Sequence, residues 1–339
     1  MPMSLPVTLL LGPPRHGVVQ YARELAQAGR LPIGALAGAE RVHVHVTDQA
    51  LAGSPDAAAR RIAAIATRAR LTVTLHDVPQ ESDGARNLAR RGAAYREIAA
   101  LADAVAVSSR HEAALLAEHL DVRAHVVPLG TRRSAAADAG PTRRGDILLA
   151  GYVYPGKGHE SAIRAAAELS RRVGAAIGVQ ALGAVSAGHA EEERRLRRLA
   201  ASLGVAFEIT GFLDAPAYAA RLRGPGIPVL AHQHISASRS LLDWLDAGRR
   251  PLVADSAYVA EAAQLRPGTM TRYDPRADER TDERTDGSAP GSMDGLADAL
   301  EAAWREPETT VIPPGTPLRP SLVDAADAYR AWWLTAERR

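Results

Sequence analysis

Short apolar runs rich in Val, Ile and Leu alternate along the chain with longer Ala-rich stretches whose charged residues recur at helical spacing. The first kind of run fits a strand buried on both faces, and the second an amphipathic helix. Residues 7–11 predict a strand, a turn follows at Gly12-Pro13-Pro14, and a helix spans about 17–28. Residues 42–47, 71–75, 104–107 and 124–127 predict further strands. Helices are expected over 55–68, over 86–101, and from a cap at Ser108 or Ser109 to about His119. Strands separated by helices imply a parallel sheet with right-handed crossovers.

The pattern breaks over residues 130–145, which are polar, Arg- and Ala-rich and carry Gly140-Pro141, and so read as a linker. It then restarts, with strands expected over 146–150, 176–181, 206–210, 228–231, 251–254 and 269–272. Helices are expected over 159–172, 189–202, 216–223, 240–247, 256–264 and 293–304. Residues 274–291 have almost no apolar side chain and contain a near-repeat of Asp-Glu-Arg-Thr, which predicts a mobile surface loop. A last helix, 321–336, carries Tyr329, Trp332 and Trp333. The class is α/β, with two successive α/β sandwiches.

Composition narrows the function classes. The chain has 339 residues, enough for two or three domains, and its 46% hydrophobic and 24% charged content is that of a globular protein. It has no cysteine, which excludes disulfides, thiolate zinc sites, iron–sulfur clusters and a cysteine nucleophile. Basic and acidic residues nearly balance, 41 against 39, so no broad charge footprint for nucleic acid or anionic membrane exists. No apolar stretch approaches the length of a membrane span, and the first residues lack the basic start of a signal peptide. A cytoplasmic location is expected. No feature specifies an oligomeric state. One detail stands out: of the 41 basic residues only one, Lys157, is lysine. A chain that uses Arg everywhere else has kept an ammonium at one position, and the two groups differ in reach and hydration.

That lysine lies in Asp146-Ile-Leu-Leu-Ala-Gly-Tyr152-Val-Tyr-Pro-Gly156-Lys157-Gly158-His159, a strand, a glycine-bounded loop and a helix start. The arrangement places Lys157 and nearby backbone N–H groups at a helix N-terminus, where a phosphate binds well. A second stretch, His232-Gln-His234-Ile-Ser236-Ala-Ser238-Arg239-Ser240, gathers imidazoles, hydroxyls and a guanidinium before a helix that holds Asp243. Its serines serve equally as ligands or as helix caps. In the first half, Gly12, Arg15, His16 and Gly17 join the first strand to its helix, as a ligand loop or a plain tight turn. His76-Asp77 stand just past a strand's C-terminal end, where open α/β sheets place ligands, and Arg86 and Asn87 follow in a polar segment. His43 and His45 share one strand face and are expected to pack, since no third metal ligand can be placed beside them.

Taken in order, these segments resemble the family 4 retaining glycosyltransferases, two-domain enzymes of the GT-B fold. The loop from Gly151 to Gly158 resembles that family's phosphate loop, and Leu75-His76-Asp77 its acceptor-side loop. Ala102 to Glu112 and His125 to Gly130 resemble the segments that complete the N-terminal half. Thr210-Gly211-Phe212-Leu-Asp214 resembles the loop beside the donor's base, and Ala247 to Val253 the turn after the donor site. The chain departs from the family at three positions. Tyr152 stands where the family carries Arg, Ile235 where it carries its first Glu, and Asp243 where it carries the second.

The resemblance implies two Rossmann-like domains facing a cleft. Residues 1–135 would form the acceptor side, 145–318 the nucleotide-sugar side, and 319–339 a helix crossing back to the first. The implied activity moves a hexose from a UDP or GDP sugar to a small-molecule acceptor, with no metal, no other cofactor and no protein nucleophile. Lys157, Gly17 and Arg239 would neutralise the leaving diphosphate. Asp243 would accept from the ribose, and His76 and His234 would act at the reaction centre. Gly12, Tyr152, Gly156, Gly158, Gly211, Phe212, His232, Ser236, Ser238 and Ser240 complete the implied donor site. Arg15, His16, His76, Asp77, Arg86 and Asn87 make the acceptor site. The three departures keep two alternatives open: a degenerate GT-B protein that binds nucleotide or a partner without transfer, and a sugar-nucleotide epimerase of the same fold.

Overall fold

The computed structural model describes residues 4–140, 144–233, 235–277, 292–293 and 295–336. The chain divides into two compact units, Met1–Arg132 with Arg319–Arg339, and Arg133–Leu318.

In unit 1 the strands β1 (Val7–Leu9), β2 (Arg41–Val46), β3 (Arg70–Leu75), β4 (Ala104–Val107) and β5 (His125–Val126) form a parallel sheet in chain order. β1 is shorter than the apolar run that predicted it. Its continuation turns at Gly12, whose added Cβ would stand 2.4 Å from the Ala50 carbonyl oxygen and whose φ is +119°. The helices are α1 (Gly17–Ala28), α2 (Asp48–Ala52), α3 (Pro55–Ala66), α4 (Ala85–Leu101), α5 (Arg110–Leu120) and the terminal helix, called α12 below (Leu322–Ala336). The short α2, capped by Thr47, is not marked by any apolar period in the sequence. Of the two serines considered as the cap of α5, Ser109 is the one used, accepting from Glu112 N–H at 3.0 Å, while the Glu112 carboxylate accepts from Ser108 N–H. Helix α12 packs on α1, where an added Cβ on Gly29 would meet Ala326 and where the Arg330 guanidinium donates to the Gly29 carbonyl.

Unit 2 holds β6 (Ile147–Ala150), α6 (His159–Val173), β7 (Val179–Leu182), α7 (Ala190–Ser202), β8 (Phe207–Ile209) and α8 (Ala215–Arg223). β9 (Ile227–Leu230), α9 (Arg239–Asp246), β10 (Leu252–Ala254), α10 (Ala257–Leu265), β11 (Thr271–Tyr273), β12 (Ser292–Met293) and α11 (Leu296–Arg305) follow. The order across its parallel sheet is β12-β11-β10-β9-β6-β7-β8. All four residues of β6 are buried, as expected for a central strand covered on both faces. Met293, expected to open a helix, instead ends β12, and α11 starts at Leu296. β7 begins at Val179 rather than 176, because the Gly178 N–H is held by the Asp146 carboxylate at 2.8 Å. The stretch expected as a linker is paired on both sides of the boundary at 132–133. Thr131 bridges Ser321 within unit 1, and Ala135 bridges Pro317 within unit 2. Of the loop expected over 274–291, residues 278–291 lie outside the described residues.

No described helix is long and apolar enough to cross a membrane.

Candidate functional site

From β6 the chain of unit 2 builds outward through β7 and β8, then returns to place β9 on the other side of β6. The loops leaving β6 and β9 therefore diverge at the C-terminal ends of adjacent strands, which is where open α/β sheets bind ligands. Both candidate donor loops start here. Glycines let them pack closely. An added Cβ on Gly158 would stand 2.0 Å from the Ala231 carbonyl oxygen, and one on Gly183 would stand 2.3 Å from that of Gly151. Gly158, at φ +94°, is the residue before α6. Gln233 N–H donates to Gly156 O at 2.9 Å, tying the two loops together.

Lys157 stands in this crevice with its side chain buried. The single hydrogen bond of its ammonium among the described residues goes to Ser240 Oγ, at 2.9 Å. The Tyr154 ring centroid lies 5.8 Å away, within cation–π range. No carboxylate forms an ion pair with it among the described residues; Asp243 acts on it through space. Burial pushes the amine down to about 7, and Asp243 opposes that shift. His159, at the first position of α6, is 1% exposed, and neither ring nitrogen has a partner among the described residues. The buried Nδ1 of His232 also lacks one. Burial, then the neighbouring Lys157, holds His159 near 3, and burial with Lys157 and His159 holds His232 well below the usual range.

The rest of the β9–α9 segment is organised by helix α9. Ser238 caps it, accepting from Leu241 N–H at 3.1 Å, while its own N–H donates to Tyr258 Oη. Ser236 is buried. Arg239 Nε donates to Asp243 Oδ1 at 3.0 Å, and Tyr218 Oη donates to Asp243 Oδ2 at 3.2 Å. Arg239 and Asp243, expected to serve phosphate and ribose separately, are thus paired with each other one helical turn apart. Tyr152 and Phe212 are exposed, and Gly211 takes a left-handed φ of +73° beside Phe212. His234 lies outside the described residues.

In unit 1, β2 and β3 run in register, with His43 opposite Thr72 and His45 opposite Thr74. Alternation then brings His43, His45, Thr72, Thr74 and His76 onto one face. His43 bonds Thr72 Oγ1 at 2.9 Å and Thr74 Oγ1 at 3.1 Å, and Thr74 bonds Tyr329 Oη at 2.8 Å. His45 Nδ1 lies 3.0 Å from His76 Nε2, with the rings stacked at 5.3 Å. His76 Nδ1 lies 3.2 Å from Ser108 Oγ. His76 is therefore buried with both ring nitrogens engaged, not presented at a surface. Beside it, Asp77 has φ +51° and is half-exposed. Arg91 donates to the Asp77 carbonyl and carboxylate at 2.6 and 2.8 Å, to Asp83 at 2.6 Å and to Asp48 at 3.2 Å. His16 caps α1, its Nδ1 accepting from Val18 N–H at 3.3 Å. Gly17 opens that helix with free space at its Cα, Arg15 is exposed, and Arg86 and Asn87 are exposed on the first turn of α4.

Burial holds His43 near 3, His76 near 4 and His45 well below its usual range; His76 further disfavours charge on His43, both of these rings disfavour it on His45, and His16 disfavours it on His76. As pH falls below about 6.5, the unfolded chain takes up protons on these rings that the folded unit refuses. Stability is thus complete above about pH 6.5 and is lost toward pH 4, by about 1.4 kcal/mol per pH unit for each ring that stays neutral. Urea midpoints for unit 1 are expected to fall between pH 6.5 and 5, before most carboxylates titrate. A constant midpoint across that window would mean the rings protonate inside the fold.

No protein-family model and no curated protein sequence matches the chain. Solved structures do. HepE from Anabaena, in complex with UDP and glucose, is 12% identical over 96% of this chain and 95% of that one, with a TM-score of 0.62. WaaG, a glycosyltransferase involved in lipopolysaccharide biosynthesis, is 16% identical over 98% and 95%, with a TM-score of 0.58. A UDP-forming trehalose-phosphate synthase from Burkholderia xenovorans is 12% identical over 96% and 80%, with a TM-score of 0.55. The chain has the GT-B fold.

Within its GT-B units the structure gathers Lys157, Gly156, Gly158, His232 and Ser240 at one switch point, and Arg239 with Asp243 on the adjoining turn of α9. In the other unit it joins His76 to His45 and Ser108, and Asp77 to Arg91. The sequence reading had left out His159, Tyr218, His45 as a partner of His76, and Arg91. The even spacing of Thr72, Thr74 and His76 carried a signal for the histidine face. Arg91 carried none, because its three carboxylates, Asp48 at the start of α2 and Asp77 and Asp83 in the β3–α4 connection, stand at no periodic spacing from it. Among the described residues no group of three or more His, Asp or Glu is placed to hold a metal ion.

Proposed function

We propose that the chain is a retaining glycosyltransferase that takes a hexose from a UDP or GDP sugar and gives it to a small-molecule acceptor. The observation that carries this is Lys157: a buried ammonium, bonded to one hydroxyl, at the N-terminus of a fifteen-residue helix and at the sheet's switch point. Its remaining N–H donors and the helix N-terminus suit a diphosphate, and charge that develops on the leaving group during transfer is stabilised there. The support from comparison is that HepE has been solved with UDP, with UDP-glucose, and with UDP and glucose. In this reading retention follows front-face attack assisted by the leaving phosphate. Arg15, His16, Asp77, Arg86 and Asn87 face the acceptor, while His76 steadies the strand end from which Asp77 projects.

The test is a thermal-shift screen of UDP, GDP and dTDP and their sugars, followed by assay of free diphosphate and of the product's anomeric configuration. A ligand at 100 times its Kd adds about 2.7 kcal/mol to the folded state. If no nucleotide raises the transition, the donor site is wrongly assigned. The Arg239–Asp243 pair favours one second reading, nucleotide binding without transfer. That reading stands if nucleotide binds but neither free diphosphate nor glycosylated product forms across a panel of acceptors.

A further inference from the structure

The charge balance of the phosphate crevice differs from that of a site held ready by permanent cations. Tyr152 brings no positive charge, and the Arg239 guanidinium is paired with Asp243. What faces the crevice is a set of bases that burial favours in their neutral forms. Lys157 comes from the loop after β6, His159 from α6 and His232 from the loop after β9. On α9, Ser240 is the lysine's hydrogen-bond partner, and Asp243, already bonded by Arg239 and Tyr218, is the one carboxylate among the described residues that acts on it.

We propose that a nucleoside diphosphate enters this site together with a proton, which is taken from solution and carried on Lys157. The inference rests on the assignment of this crevice as the donor site. Its geometric basis is the close packing of the two loops, with the Gln233–Gly156 hydrogen bond and the Gly158–Ala231 contact holding the buried Lys157 and His159 and the half-buried His232 around one point. A bare diphosphate beside a neutral amine would lose its hydration without gaining a counter-charge. Protonation of the amine supplies that charge at the moment it is compensated, and the imidazoles, whose nitrogens named above are buried and lack hydrogen-bond partners among the described residues, favour this state by adding N–H donors rather than competing cations. The protonation balances simply: one proton leaves the buffer, one N–H bond forms at Nζ, and no electron changes hands. The basicity of Lys157, already lowered to about 7 by burial, leaves most of the amine neutral at pH 8.

The test is calorimetric titration of the whole chain with UDP at pH 8, in buffers of different ionisation enthalpy. At this pH the terminal phosphate of UDP is itself ionised, so the ligand supplies little of the proton count. Uptake approaching one proton per UDP is expected, with affinity falling about tenfold per pH unit between pH 8 and 9. Lys157→Arg, charged at every pH, is expected to bind without proton uptake and with a flat profile. Because Arg at this position is bulkier and need not fit, GDP, whose terminal phosphate is likewise ionised at pH 8, provides a second measurement on the unaltered protein, and the same uptake is expected. UDP binding with no proton uptake and no pH dependence overturns the inference and leaves the donor site standing. If UDP and GDP both fail to bind, the donor site and the inference fall together.

Discussion

Replacing Lys157 by Met is expected to weaken UDP or GDP binding about 10- to 150-fold at pH 7, the ~1.5–3 kcal/mol of a hydrogen bond to a charged group, while leaving the fold at least as stable as before. The two effects run in opposite directions for one reason. The amine is buried against a hydroxyl and a tyrosine ring, with no ion-pair partner among the described residues. Holding it there costs the fold a few kcal/mol at neutral pH. Its basicity in the folded state lies near 7, below that of the unfolded chain, so this cost is full below about pH 7 and is lifted as pH rises toward 10. A methionine of similar length fills the space without it. Isothermal titration and urea unfolding on the same variant separate a ligand residue from a packing residue. Undiminished nucleotide affinity in a folded Lys157→Met protein would remove the main support for the donor site.

A larger loss of stability is expected at Arg249, which touches no candidate ligand residue. Arg249 is 1% exposed, and among the described residues no carboxylate pairs with its guanidinium. It donates instead to the carbonyls of Leu222 at 3.3 Å, Gly224 at 2.7 Å, Gly226, and Thr310 at 3.3 Å, and to Thr310 Oγ1. Those groups belong to the turn between α8 and β9 and to the segment after α11, so one side chain closes two chain reversals around the start of β9. Burial lowers its basicity to about 10, which leaves it charged at neutral pH. Arg249→Met leaves the carbonyls without donors in a dry site, at a cost of about 3–5 kcal/mol. For a unit of this size that is a fall of roughly 6–20 °C in the melting transition. Arg249→Lys should recover only part of it, since an ammonium cannot span acceptors arranged for a planar fork. A shift below 2 °C in the Met variant would show that water replaces the guanidinium freely.

The alternation of strands and helices was legible because the β-runs are short and mostly apolar, even where one face carries His or Thr, while each helix is apolar on one side. Val42, Val44 and Val46 sit at the centre of unit 1, and Ile147 to Ala150 at the centre of unit 2. Lys157 was legible because one lysine among 41 basic residues is a chemical exception that needs no structure to notice. The histidine face was only half legible. His43 and His45 announce a shared face by their spacing, but their link to His76 depends on the register of β2 on β3, which no local pattern sets. The pairing of Arg239 with Asp243 had the spacing of a helical ion pair in plain view. It was passed over because each residue was read against a separate ligand role. Arg91 and Arg249 were not legible at all, since their partners, the carboxylates of α2 and the β3–α4 connection and the carbonyls around the start of β9 and after α11, stand at no periodic spacing from them.

The path of the chain has a consequence for the order of its manufacture. The sheet of unit 1 precedes unit 2 in the chain, yet the helix whose Tyr329, Trp332 and Trp333 cover its histidine face comes after the whole of unit 2. On a ribosome adding about 5–20 residues per second, the first sheet emerges and then waits roughly 10–40 s for that cover. Unit 2, which is continuous in the chain, meets no such delay. During that interval His43, His45 and Thr74 face water or a chaperone. The second unit to start synthesis is the first to be complete, and the crevice between its β6 and β9 loops is formed before the first unit has closed.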